Sequence, residues 1–160
     1  MAFRFIRSAG SVHEPAVIHM PASGVVHVGG VVIGDAANYV VSPATAALAT
    51  STAIIGVSMD YAQGASDTFV RVIPFVPGQL WEADAANVIS TANIMQRHVL
   101  VNDLVVRNTV YGTSVSQGET ASTGVFLCYA VTGLATGSGK LIGTFLQRTA
   151  TKGDGFAIGT

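Results

Sequence analysis

Short apolar runs rich in β-branched residues, broken every few positions by Gly, Pro, Asn or Asp, recur along this 160-residue chain. They are AVIHM (16–20), GVVHVGGVVIG (24–34), YVVS (39–42), AIIGVSMD (53–60), TFVRVIPFV (68–76), HVLVNDLVVRN (98–108), GVFLCYAV (124–131) and KLIGTFLQR (140–148). Valine, isoleucine and threonine suit a pleated, half-buried surface, and the breakers supply turns. About eight short strands at this spacing predict an all-β fold, a single-domain β-sandwich or β-barrel.

Several runs carry finer information. In TFVRVIPF, Phe69, Arg71, Ile73 and Phe75 share one face and Val70, Val72 and Pro74 the other. Pro74 has no N–H to give to a neighbour, so this strand lies at an edge or ends there. Gly29-Gly30 reads as a hairpin turn or a kink, and Asn102-Asp103 as a hairpin turn or a bulge. Val88, Ile89, Ala92 and Met95 recur at helical spacing within 83–98. They allow at most one short helix, around 84–96, with Asp84 as its N-cap. The stretch 42–53 is a long connection or an irregular strand, 114–124 a long polar loop and 132–140 a glycine-rich hairpin tip. The expected layout is an N-terminal arm (1–12), a β-rich domain (13–150) and a C-terminal tail (151–160) that orders on a partner.

Composition sharpens the picture. Charged residues make up 11% of the chain and apolar ones 49%, against about 25% charged in an ordinary soluble domain. No apolar stretch is long enough for a spanning helix. The first ten residues lack the continuous apolar stretch of a signal peptide. The chain is therefore expected to act without a membrane and without export. The net charge is −1, with the lysines and arginines scattered, whereas nucleic-acid binders concentrate basic residues on one face. No nucleic-acid partner is expected. So few charges leave either an unusually apolar monomer surface or, the reading favoured here, apolar surface that other chains cover.

Candidate chemistry is sparse. TGSGK ends in Gly139-Lys140 but is followed by Leu141, and Leu134 stands where a phosphate loop requires glycine. His13, Glu14 and His19 form the one local histidine–carboxylate cluster, and Pro15 separates the histidines. A zinc site needs three or four ligands in register, so no metal is assigned. The single cysteine, Cys128, lies in an apolar run and reads as an inert buried thiol. No nucleophile elbow is present. Glu82 and Asp84 share a face if their segment is a strand, beside Trp81, the only tryptophan. Two carboxylates and an indole are what a glycosidase or a lectin would use. The competing reading makes GQLWEAD a turn-and-strand element in which Trp81 anchors the core or a subunit interface. At the N-terminus, Phe3 and Phe5 alternate with Arg4, and Ile6 and Arg7 follow. They form a first strand of their own domain or add to a sheet edge of a neighbouring chain. The candidate interface set is thus Phe3, Phe5, Ile6, Trp81 and Glu82. No catalytic residues and no cofactor are assigned, and the chain is not expected to be an enzyme.

The order PFVPGQLWEADAAN, STANIMQRHVLVNDLVVRNT, GVFLCYAVTG and KLIGTFLQR resembles small capsid decoration (cement) proteins. These are encoded beside the major capsid protein in tailed bacteriophages, including phages of cyanobacteria and other aquatic bacteria. The similarity spans roughly residues 25 to 150; GQLWEAD and the GVF…KLIGTF close carry it best. The resemblance implies a β-rich homotrimer on the outer surface of the virion, at or near three-fold positions, bridging major capsid protein subunits. It carries over no functional residues. The alternatives are a carbohydrate- or receptor-binding virion module using Trp81, and a small hydrolase using Glu82.

Overall fold

The β-branched runs pair as strands because each has partners that take up its backbone donors and acceptors. The computed structural model describes residues 3–8, 16–35, 40–44, 54–63, 68–76, 78–85, 89–100, 104–106, 125–133 and 139–146. In chain order the strands are β1 (Phe3–Ser8), β2 (Ile18–Pro21), β3 (Val25–Val26), β4 (Val31–Asp35), β5 (Val40–Pro43), β6 (Ile54–Ser58) and β7 (Ala62–Gln63). They continue with β8 (Phe69–Pro74), β9 (Gln79–Ala85), β10 (Arg97–His98), β11 (Val105–Val106), β12 (Phe126–Thr132) and β13 (Lys140–Phe145). The fold is all-β, as the residue pattern predicts.

A six-stranded sheet runs β1-β9-β13-β12-β10, and β11 lies parallel to β9. A five-stranded sheet runs β2-β8-β6-β4-β5, and β3 pairs with β7 alone. The two outer strands of the five-stranded sheet meet: Ala22, just past β2, bridges Val41 of β5 in parallel. The Ser23 N–H donates to the Val41 carbonyl at 2.8 Å. The sheet therefore curls back on itself at that end.

One core cluster lies between the two large sheets. Phe3, Trp81, Phe126, Leu141 and Phe145 come from one side, and Val31, Ile33, Ile54, Val57, Ile73 and Phe75 from the other. A second cluster fills the opposite face of the curled sheet with Val32, Val41, Ile55, Val70 and Val72, joined by Ala22, Val26 and Ala62. β6 is buried along its whole length, which is why AIIGV is continuously apolar instead of alternating. Where β12 and β13 approach, a Cβ on Gly143 would overlap the Leu127 carbonyl, so only glycine fits there.

Several local expectations resolve. Pro74 is the last residue of β8, opposite Gly56, and β8 lies inside its sheet between β2 and β6. Proline ends this strand and does not mark an edge. Gly29 takes φ 76° in a turn closed by the Gly30 N–H on the His27 carbonyl. That turn passes the chain from β3 to β4, which belong to different sheets, so it is no hairpin. The glycine-rich tip does join an antiparallel pair, with Thr132 opposite Lys140. The short helix shrinks to one 3-10 turn, Thr91–Asn93, capped by Ser90. Asp84 is not the cap; it lies on β9, opposite Lys140. Val88, Asn102, Asp103, the loop 114–124 and the tail 151–160 lie outside the described residues, as do His13 and Glu14.

Candidate functional site

The first strand brings the candidate interface residues together. β1 lies antiparallel on β9 with Phe3 opposite Ala83, Arg4 opposite Glu82 and Phe5 opposite Trp81. The register slips between Phe5 and Arg7, and Ile6 is exposed at that bulge. Strand alternation sends Phe3, Phe5, Trp81 and Ala83 inward, and Arg4, Glu82 and Asp84 outward.

Inside, six rings form one cluster. Trp81 is 1% exposed. It stands edge-on to Phe5 (5.4 Å between centroids), Phe75 (5.5 Å) and Phe145 (6.1 Å). Phe75 stacks on Phe145 at 3.8 Å, and Phe3 contacts Phe126 and Phe145. A buried indole N–H needs an acceptor. It finds Gln79 Oε1 at 3.3 Å. The same oxygen accepts from the Val76 N–H at 3.0 Å, and Gln79 Nε2 donates to the Pro74 carbonyl at 3.0 Å. Buried Gln79 thus ties the turn before β9, where Gly78 takes φ 84°, to the tryptophan. No reading of the sequence singled out Gln79. The available signal was its position two residues before Trp81 on the same strand face.

Outside, the two carboxylates of β9 sit in an ion-pair ladder across three strands. Arg4 Nη2 reaches Glu82 Oε2 at 3.0 Å. Lys140 Nζ pairs with Asp84 Oδ1 and stands 3.9 Å from Glu82 Oε1. Glu82 and Asp84 do share a face, but each is engaged by a cation and the indole lies on the opposite face. The lectin or glycosidase arrangement, with Trp81 stacked on a sugar beside both acids, is not formed. Lys140, the lysine of TGSGK, opens a strand rather than a helix, so a phosphate loop is not formed either.

The remaining candidates separate. His19 is exposed on β2, His27 lies beside Tyr61 with ring centroids 6.1 Å apart, and His98 is buried with Nε2 3.2 Å from the Asn93 carbonyl. Among the described residues no group of three or more histidine, cysteine or acidic side chains stands close enough to hold a metal. Cys128 is buried in the large cluster, and burial pushes its thiol up to about 11. It donates to the Ala130 carbonyl at 3.2 Å. A thiol held protonated is a poor nucleophile.

A second feature was not foreseen position by position. β4 starts, β6 ends, β8 starts and β2 ends at the same end of the curled sheet. There Val25, Val28, Met59, Tyr61 and Phe69 are exposed, Tyr61 by 56% and Phe69 by 62%. Asp60, which follows Met59, clamps Arg71: its carboxylate accepts from Arg71 Nη2 at 2.6 Å and from the Arg71 backbone N–H at 2.8 Å. The guanidinium holds the Asp60 carboxyl below its ordinary value. No helix of the described residues is long and apolar enough to cross a membrane. Set against protein-family models, curated proteins and solved structures, the chain matches none.

Proposed function

We propose that this chain is a structural virion protein, a decoration protein that binds the outer surface of a tailed-phage capsid as a trimer and bridges neighbouring major capsid protein subunits. The observation that carries the reading is the end of the curled sheet where β2 leads to β4 and β6 to β8: Val25, Val28, Met59, Tyr61 and Phe69 are exposed on or beside those connections. Large apolar side chains gathered on a surface mark a place where another macromolecule sits. The low charge of the chain, its all-β fold and the resemblance of GQLWEAD and the β12–β13 hairpin to cement proteins support the same reading.

The mechanism is mass action. A clamp that binds only the assembled lattice stabilises it by as much as it prefers that state. Contacts from several subunits of one trimer make the later contacts intramolecular, which multiplies the effective affinity. Trp81 serves as a core anchor in this reading, and the carbohydrate-binding alternative loses its platform because the ring is buried.

The test is the solution mass by light scattering, with and without capsids stripped of the protein. A particle of three times 16.4 kDa that co-sediments with the stripped capsids is expected. A monomer that stays in the supernatant overturns the proposal.

A further inference from the structure

We propose that β1 is an exchangeable strand, which in the assembled protein completes the six-stranded sheet of a neighbouring copy of this chain. This goes beyond a place on a capsid and concerns how copies join, wherever the assembly sits.

Two observations converge on it. First, β1 is the edge of its sheet, and among the described residues no strand pairs with its outer side. Yet this edge strand completes the main core: Phe3 is buried against Phe126 and Phe145, and Phe5 stands on Trp81. A terminal strand that fills a core pocket can be supplied by another copy with every contact preserved, the low-cost route to assembly by domain swapping. Second, residues 9–17 separate β1 from β2. Nine residues reach up to about 30 Å when extended, enough to span from one small domain to the next. With a net charge of −1, copies of the chain have little mutual repulsion to overcome.

The register supplies the test. Arg4 and Glu82 are cross-strand partners on the outer face. Antiparallel partners have Cα atoms about 4.5 or 5.5 Å apart, both within disulfide range. The double variant Arg4→Cys/Glu82→Cys is folded, allowed to assemble and oxidised, then run on a denaturing, non-reducing gel with the linkage mapped by mass spectrometry. Exchange predicts chains linked to one another from position 4 to position 82. A disulfide closed within single chains overturns the proposal, and leaves the capsid reading to be judged by the light-scattering and co-sedimentation result. Thiols that stay free overturn it as well, because then β1 holds this register on no chain. Arg7→Cys/Leu80→Cys repeats the test at the next register pair should the first variant fail to fold.

Discussion

The two core clusters of this molecule are filled differently. The one between the sheets holds Phe3, Phe75, Trp81, Phe126 and Phe145, is sealed by strands from both sheets and has β1 as its last piece. The one inside the curled sheet holds valines, isoleucine and alanines, and the connections at one end of that sheet carry exposed Val25, Met59, Tyr61 and Phe69. Aromatic side chains bury the most area each and gain further from edge-to-face contact. The first cluster is therefore expected to dominate the stability of the chain, while the end of the second is expected to govern what the chain binds.

Removing the largest ring tests that division most severely. Trp81→Ala should lower unfolding stability by about 3–5 kcal/mol, read as a shift in the urea midpoint. Val70→Ala, in the centre of the aliphatic cluster, should cost less, about 1.5–3 kcal/mol. Equal losses at the two sites would break the comparison. Phe69→Ser removes the most exposed aromatic of the apolar end. It should leave the stability of the separated chain within about 0.5 kcal/mol yet weaken co-sedimentation with stripped capsids. Unchanged co-sedimentation would take Phe69 out of the interface.

The smallest effect concerns acid. The Asp60 carboxyl is held below its ordinary value of 3.8, first by the Arg71 hydrogen bond. A carboxyl with a depressed folded value contributes stability that is present above its unfolded value and lost as pH falls through the folded one. The gap in urea midpoint between wild type and Asp60→Asn should therefore hold steady from pH 7 to pH 5 and narrow below about pH 4. A gap that widens in acid would show that Asp60 is not the group being protonated.

Much of the local structure was legible along the chain. β-branched runs, the turn at Gly78, the strand end at Pro74 and the strand after Lys140 follow from backbone chemistry within a few residues. The buried thiol of Cys128 follows from its apolar neighbours, whereas Trp81, beside Glu82, stays open along the chain between a core anchor and a ligand platform, and its burial decides for the core. The helical spacing within 84–96 yields only the 3-10 turn Thr91–Asn93, for a long-range reason. Donors and acceptors there are taken by β12: the Met95 N–H donates to the Cys128 carbonyl, and the Cys128 N–H to the Gln96 carbonyl. Met95 ends up at φ 62° and 65% exposed, although helical spacing had placed it on the apolar face.

Local chemistry thus settled which segments are strands, where they stop and which side chains shun water, because dihedral preference and hydrophobicity belong to single residues and their neighbours. Pairing belongs to segments far apart. That Phe5 meets Trp81, that Lys140 rather than a helix end engages Asp84, that Ala22 closes onto Val41, and that the connections carrying five exposed apolar residues lie at one end of a sheet were decided by the tertiary structure. Many strand orders satisfy the same alternation of apolar and polar positions. The one adopted is the order in which the aromatic rings pack together and each buried polar group, such as the Trp81 indole on Gln79, finds its partner.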